Sequence, residues 1–306
     1  MSYRAHGLPT NELFELQLEL PDPRIAEKAA RLVGFPERLA RLETGLRLMI
    51  DVEGVEAWSR RFHHVSLPLL RTLPDRYPLV IFHGDVGTGK TETAEAIANA
   101  LATATGKPGT LFKLSTRVRG EGFVGQMTAL ISQAFAAVAK EAGKARTAYL
   151  IVDEGDSLTS SRATVEIHHE DKVAVNTLIQ KLDAFRRLGG RALVFLCTNR
   201  YEVLDPAILR RSLAEEWFDR PNAQERRELL EMDLEGIDLD PDVIEQLVEM
   251  TGGANGPGYT FSDLRTRLLP AALASAFPDR ALTADDLLAA AKRLAPTPSF
   301  DAQRAR

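Results

Sequence analysis

The sequence has little cysteine, no long apolar run and no excess of positive charge. Cys197 is its one cysteine, so an intramolecular disulfide is excluded and a reducing cytoplasm is the expected location. No stretch is long and apolar enough to predict a membrane span, and the N-terminal residues do not resemble a signal peptide. The net charge of −5 argues against a dedicated nucleic-acid binder, which usually presents a basic surface. We therefore expect neither a membrane nor a nucleic acid as a partner.

What the sequence does contain is a glycine-rich loop between an apolar run and a helical pattern. Residues 84–91 read GDVGTGKT, which fits the phosphate-binding pattern G-x-x-x-x-G-K-[ST], although an ordinary glycine-rich turn is the alternative. Glycines let backbone N–H groups face an anion, and the following helix adds the positive end of its dipole. We expect Lys90 to reach the β and γ phosphates of ATP and the Thr91 hydroxyl to ligate Mg²⁺. The candidate nucleotide-binding residues of this segment are Gly84, Asp85, Val86, Gly87, Thr88, Gly89, Lys90, Thr91 and Glu92.

Apolar segments alternate with helical patterns along the middle of the chain. Strands this apolar, separated by helices, predict an α/β fold with a five-stranded parallel sheet flanked by helices. From Pro221 the pattern is helical only, which predicts a separate all-helical lid domain. We expect a short N-terminal extension over residues 1–40, a large α/β domain over 41–220 and the lid over 221–306. The predicted strands cover residues 80–83, 110–115, 148–153, 192–198 and 216–219, and a further short strand is possible over 13–20.

Polar side chains follow the third and fourth predicted strands. Asp153 and Glu154 end the third strand, and such an acid pair is the second half of a phosphate-loop NTPase site. Asp153 would hold the Mg²⁺ ion, and Glu154 would orient and deprotonate the attacking water. Asn199 follows the fourth strand, where its side chain could reach that water or the γ-phosphate. The alternatives are a solvated acidic turn and a turn-forming asparagine.

Two adjacent arginines, Arg210 and Arg211, follow a short helical segment. They fit arginine fingers, which enter a neighbouring subunit's site and stabilise charge on the transferred phosphoryl group. Such fingers require a closed ring of subunits with head-to-tail contacts. We rank Arg211 first and Arg210 second, and the alternative is that both form surface ion pairs.

The ordered set of these motifs, followed by a helical region, resembles the AAA+ ATPases over residues 76–270. Within that family, residues 151–162 and 171–183 resemble the pachytene-checkpoint remodellers. These include the thyroid-receptor-interacting remodeller and short bacterial relatives in anti-phage operons. The resemblance implies a homohexamer that uses ATP and Mg²⁺ to unfold part of a HORMA-domain protein. For the bacterial relatives it implies that this step switches off a cyclic-oligonucleotide synthase bound to the HORMA protein.

The resemblance also implies a loop that grips substrate in the central pore of the ring. The matching segment lies between the second strand and its helix, and an exposed aromatic between glycines can hold an extended peptide of any sequence. Phe123 is that aromatic, and the alternative is that it folds back onto the core. The segment consists of Gly122, Phe123, Val124 and Gly125.

Two features of the sequence depart from the family's pattern. The family places a sensor arginine at the start of a lid helix, and here no arginine aligns cleanly. Arg265 is our assignment with Arg267 second, and the alternative is a solvated helix residue in either case. Only 83 residues precede Gly84, so we expect little or none of the N-terminal domain that takes an adaptor in eukaryotic members. We therefore expect this chain to recruit its substrate in a different way.

Other functions are compatible with parts of the pattern. An AAA+ protein that acts on nucleic acid, such as a loader or initiator, is the main alternative, but the acidic net charge and the lack of an appended DNA-binding motif argue against it. A nucleotide-gated scaffold that barely hydrolyses ATP would not need the acid pair, Asn199 and the two arginines. A small-molecule phosphate-loop kinase would need neither the arginines nor the lid. The sequence therefore favours an ATP-driven remodeller of a HORMA-like protein.

Overall fold

The computed structural model describes residues 13–115, 126–143, 146–153, 169–253 and 256–299, which fall into two compact units. Unit 1 comprises Met1–Ala29, Pro36–His83 and Thr91–Glu216. Unit 2 comprises Ala30–Phe35, Gly84–Lys90 and Trp217–Arg306. The boundary between the two units therefore falls within the phosphate-binding pattern, between Lys90 and Thr91. The predicted domain boundaries at residues 40 and 220 stay predictions.

A six-stranded sheet forms the centre of the α/β arrangement, and most of it belongs to unit 1. Its strands are β1 (Phe14–Leu20), β2 (Leu79–Gly84), β3 (Gly109–Leu114), β4 (Thr147–Val152), β5 (Ala192–Thr198) and β6 (Ser212–Phe218). They lie in the order β1-β3-β4-β5-β2-β6. β4 and β5 are buried at every residue, as expected for strands whose two faces are both covered.

The strands β3, β4, β5 and β2 run parallel, with Lys113 opposite Ile151 and Val152 opposite Leu196. This confirms the predicted α/β class, but the sheet has six strands instead of the predicted five. The additional strand is β1, which pairs antiparallel with β3 and forms one edge of the sheet. Between its buried end residues, exposed and half-buried residues alternate, which is typical of an edge strand with one solvated face.

The first two thirds of the described chain also contain α-helices. They are α1 (Pro23–Ala29), α2 (Phe35–Ile50), α3 (Val52–His63), α4 (Lys90–Thr105), α5 (Gln126–Glu141), α6 (His169–Arg186) and α7 (Pro206–Leu209). A core cluster of unit 1 joins α5 and α6 to β3, β4 and β5, and the rings of Phe135 and Phe185 lie 4.6 Å apart within it. Cys197 is buried in β5. No helix among the described residues has the length and apolar character needed to cross a bilayer.

Unit 2 is helical from residue 223 onward, which confirms the predicted helical C-terminal region. Its helices are α8 (Ala223–Asp233), α9 (Pro241–Met250), α10 (Leu269–Ala276) and α11 (Ala284–Arg293), and a π-helical segment, Asp263–Leu268, leads into α10. Asn222 and Glu225 form a capping box that satisfies backbone N–H groups at the start of α8. Apolar side chains of all four helices, including Leu229, Leu247 and Leu287, form a separate core cluster.

Candidate functional site

The phosphate-binding loop of unit 2 has a backbone that requires glycine at two positions. Gly84 has φ of 140° and Gly87 has φ of 71°, a region that residues with a side chain rarely adopt. A Cβ atom on Gly84 would overlap the backbone oxygen of Phe218. A Cβ atom on Gly87 would lie 2.8 Å from the Cβ of Ser262 and 2.9 Å from the Oγ1 of Thr260. The loop is therefore held close to its neighbours in unit 2, in a conformation suited to backbone contact with an anion.

Lys90, the last residue of this loop in unit 2, is only 7% exposed. Its Nζ donates hydrogen bonds to the backbone oxygens of Gly84 at 3.1 Å and Asp85 at 2.6 Å. A buried ammonium group is tolerated because such partners compensate for its lost hydration. The loop thus already holds a positive charge beside the glycines, where a phosphate group would need it.

Arg220 is a residue of this region that the sequence analysis missed. Its Nε donates to Oδ2 of Asp85 at 2.7 Å, and its Nη1 donates to the backbone oxygen of Gly258 at 2.5 Å. The backbone N–H of Ser262 donates to the oxygen of Gly87 at 3.1 Å. These bonds connect the loop to residues of the helical region within unit 2. The sequence offers no signal for Arg220 beyond a charged residue after a strand.

The predicted metal-binding pair lies together in unit 1. Thr91, in the first turn of α4, donates from its Oγ1 to Oδ2 of Asp153 at 2.8 Å. Asp153 directly follows β4, so the strand and the helix hold the two side chains in contact. A hydroxyl and a carboxylate are oxygen ligands of the kind that Mg²⁺ prefers. The donor set therefore fits a Mg²⁺ ion.

Asn199 is half-buried at the end of β5, the neighbour of β4 in the sheet. Val152 is opposite Leu196 in the parallel register, so Asp153 and Asn199 follow the carboxyl ends of adjacent strands. The carboxyl edge of a parallel sheet is where such folds bind ligands. The structure thus places both predicted residues at the same edge of unit 1.

Arg211 forms contacts within unit 1 that the sequence did not reveal. Its Nε and Nη2 donate to the carboxylate of Asp183 at 3.0 and 3.2 Å, and its Nη1 donates to the backbone oxygen of Ala207 at 2.9 Å. Its guanidinium also lies 5.1 Å from the ring centroid of Tyr77. The hydrogen bonds from Arg211 lower the pKa of the Asp183 carboxyl. Arg210, the other candidate finger, is exposed.

The two candidate sensor arginines lie in ion pairs within unit 2. Arg265 donates from Nε to Oδ2 of Asp233 at 2.6 Å and from Nη1 to the backbone oxygen of Arg31 at 2.8 Å. Burial would raise the pKa of the Asp233 carboxyl, but the hydrogen bonds from Arg265 and Arg31 outweigh it and the pKa is lowered. Arg267 donates to Oδ1 of Asp263 at 2.7 Å. The sensor role of either arginine stays a prediction.

Five predicted site residues lie outside the described residues. Glu154, the candidate general base, directly follows Asp153, which is the last described residue after β4. The others form the candidate pore segment and are Gly122, Phe123, Val124 and Gly125. Their assignments rest on the sequence alone.

Comparison with known proteins identifies the family. Residues 80–221 match the profile of the ATPase family associated with various cellular activities (AAA). The chain is 48% identical over 290 residues to CD-NTase-associated protein 6 of Escherichia coli strain KTE188, covering 94% of this chain and 97% of that protein.

Two solved structures are similar along nearly the whole chain. One is the structure of the E. coli MS115-1 HORMA:CdnC:Trip13 complex, with a TM-score of 0.86 and 38% identity over 96% of this chain and 99% of the matched chain. The other is Rhizobiales Trip13, with a TM-score of 0.69 and 34% identity over 93% of this chain and 99% of the matched chain. The chain therefore belongs to the CD-NTase-associated protein 6 family of AAA ATPases.

Proposed function

We propose that this chain is an ATP-hydrolysing AAA+ remodeller that opens a HORMA-domain protein. By separating that protein from a cyclic-oligonucleotide synthase, it would switch off anti-phage signalling. The observation that carries the proposal is the similarity to a Trip13 chain solved together with HORMA and CdnC, at 38% identity and over nearly the full length of both chains. The steric requirement for glycine at Gly84 and Gly87 in this chain's own loop supports nucleotide binding as the source of energy.

Each part of the nucleotide site has a proposed chemical role. Lys90 and the loop N–H groups bind the phosphates, and Thr91 and Asp153 hold Mg²⁺. When bound there, Mg²⁺ would supply positive charge that offsets the negative charge on the phosphates during transfer. Glu154 accepts a proton from the attacking water, and Asn199 orients that water from the neighbouring strand.

The ring and its pore complete the proposal. Arg211, with Arg210 as the second candidate, acts on the nucleotide of a neighbouring subunit in a homohexamer. Residues 122–125 grip the substrate, with Phe123 as the side chain in contact with the peptide. Arg265 senses the γ-phosphate from the helical region, and residues 221–306 act as the lid.

The proposal can be tested with purified proteins. The genes beside this one should encode a HORMA-domain protein and a nucleotidyltransferase, and their complex should be stable on a sizing column. Addition of this chain with ATP and Mg²⁺ should release the synthase and end its cyclic-oligonucleotide production, whereas a non-hydrolysable ATP analogue should not. A complex that survives hydrolysis of excess ATP would contradict the proposed function.

Replacing Lys90 with methionine should weaken ATP binding by about 10- to 100-fold, the loss expected for charge-assisted hydrogen bonds to the phosphates. Titration with a fluorescent ATP analogue measures the affinity. Lys107→Met is the matched control, because Lys107 follows the end of α4 and forms ion pairs with Glu53 at 3.0 Å and Asp51 at 3.7 Å. Equal affinities of the Lys90 variant and the wild type would remove Lys90 from the phosphate site.

Replacing Phe123 with alanine should abolish release of the synthase and leave ATP hydrolysis in place. The aromatic ring provides the grip on the peptide, whereas the chemistry depends on residues at the sheet edge. Phe123→Tyr is the control and should keep remodelling, because it retains a ring of similar size. Synthase release and phosphate release are measured in the same reaction. Release by the alanine variant at the wild-type rate would show that Phe123 is not the gripping residue.

A further inference from the structure

Lys113 of unit 1 lies among three carboxylates beside the candidate metal pair. Its Nζ is 2.7 Å from Oε1 of Glu15 and 3.9 Å from Oδ2 of Asp153. The charge of the half-buried Glu95 on α4 also acts on Lys113. The Lys113 side chain is 20% exposed, so solvent screens these charges only in part. None of the sequence motifs includes Lys113, and the chemistry proposed above does not use it.

The strand register explains why Lys113 reaches Asp153. Lys113 is opposite Ile151 on β4, and Asp153 lies two residues further along. Since side chains of an extended chain alternate between faces, residues two apart point to the same side. Lys113 is also the one residue of β3 that is not buried.

A register shift in β1 brings Glu15 to the other side of Lys113. Phe14 is opposite Leu114 and Leu16 is opposite Lys113, so Glu15 is an extra residue between two successive pairs. Bulges of this kind redirect a side chain and are frequent next to active sites. Glu15 thereby forms the shorter of the two ion pairs of Lys113, and Asp153 forms the longer one.

The Lys113 ammonium is held between two carboxylates, at 2.7 Å from Oε1 of Glu15 and 3.9 Å from Oδ2 of Asp153. The oxygen that this ammonium faces, Oδ2 of Asp153, is the same one that accepts the hydrogen bond from Thr91. A cation fixed beside this oxygen competes with any metal ion that Asp153 holds.

We propose that Lys113 is a positioning residue that sets the Mg²⁺ requirement of the nucleotide site by competing with the metal for Asp153, and that Glu15 restrains Lys113 from doing so. The inference rests on the proposed function only in taking Asp153 as a ligand of nucleotide-bound Mg²⁺. It assigns opposite effects to two residues that form one ion pair. If the ion pair were merely structural, replacing either partner would change the Mg²⁺ requirement in the same direction.

The test is a Mg²⁺ titration of the binding of a fluorescent ATP analogue to the full chain. Lys113→Met should lower the Mg²⁺ concentration at half-maximal binding by about fivefold, the size expected for a partly exposed charge pair. Glu15→Gln should raise it by about fivefold, because the released ammonium moves toward Asp153. Lys113→Arg keeps the charge and should restore the wild-type value. Binding in EDTA should be the same for all four proteins, and melting curves check that each is folded.

The inference would be overturned if Lys113→Met and Glu15→Gln changed the Mg²⁺ concentration at half-maximal binding in the same direction, or if neither changed it. Should Lys113→Met fail to fold, Glu15→Gln still decides, because an unchanged or lowered Mg²⁺ requirement contradicts the restraint. The readout is nucleotide binding, so it does not depend on remodelling. Wild-type protein that binds Mg²⁺ and nucleotide but never opens a HORMA protein would contradict the proposed function and leave the result for Lys113 valid. Wild-type protein that shows no Mg²⁺-dependent binding would overturn both.

Discussion

Replacing Glu154 with glutamine should slow ATP hydrolysis by about 10³-fold and leave ATP binding intact. Glutamine has the shape of glutamate but cannot accept the proton of the attacking water. The phosphate loop and the Thr91–Asp153 pair, whose side chains are joined by a 2.8 Å hydrogen bond, do not depend on it. Phosphate release under saturating ATP measures the hydrolysis, and titration with a fluorescent ATP analogue measures the binding.

Glu141→Gln is the matched control for the glutamate variant, because Glu141 is an exposed carboxylate at the end of α5. It should hydrolyse ATP at the wild-type rate. Because the Glu154 variant binds ATP and hydrolyses it only slowly, it should also hold its substrate, and a pull-down with it should retain the HORMA-domain protein. Turnover of the Glu154 variant close to the wild-type rate would remove Glu154 from the role of general base.

The glycine-rich loop could be predicted from the sequence because its geometry restricts which residue types can occupy it. Gly84 and Gly87 have positive φ, and each lies where a Cβ atom would strike a neighbour, so other residues are excluded. The buried strands β4 and β5 could be predicted for a similar reason, because a strand covered on both faces must be apolar throughout.

The contacts of the arginines could not be predicted, because they join residues distant in sequence. Arg211 meets Asp183 and Tyr77, and Arg220 meets Asp85, only after the chain has folded. No local pattern marks such pairs, since a surface arginine and a paired one look alike in a sequence. The bulge that brings Glu15 to Lys113 was unpredictable for the same reason, because the strand register is set by partners on β3.

Replacing Arg211 with alanine should reduce ATP hydrolysis by about 10³-fold, which is within the range of arginine fingers. The loss could also come from breaking its ion pair with Asp183, at 3.0 Å within the same chain. Asp183→Asn separates the two causes, because it weakens the same ion pair and leaves the guanidinium in place. We expect the Asp183 variant to hydrolyse ATP near the wild-type rate, as measured by phosphate release. An equal loss in both variants would show that Arg211 has a structural role only.

Mixing two inactive variants tests whether Arg211 acts on a neighbouring subunit. The Arg211→Ala chain keeps its phosphate loop and lacks the finger, whereas Lys90→Met keeps the finger and lacks a working loop. In a ring of equal parts, random mixing brings an intact loop and an intact finger together at about one interface in four. Hydrolysis should therefore return on mixing, although neither variant is active alone. Energy transfer between labelled chains confirms that subunits exchange, and exchange without recovered hydrolysis would show that the finger and the loop of one site belong to the same chain.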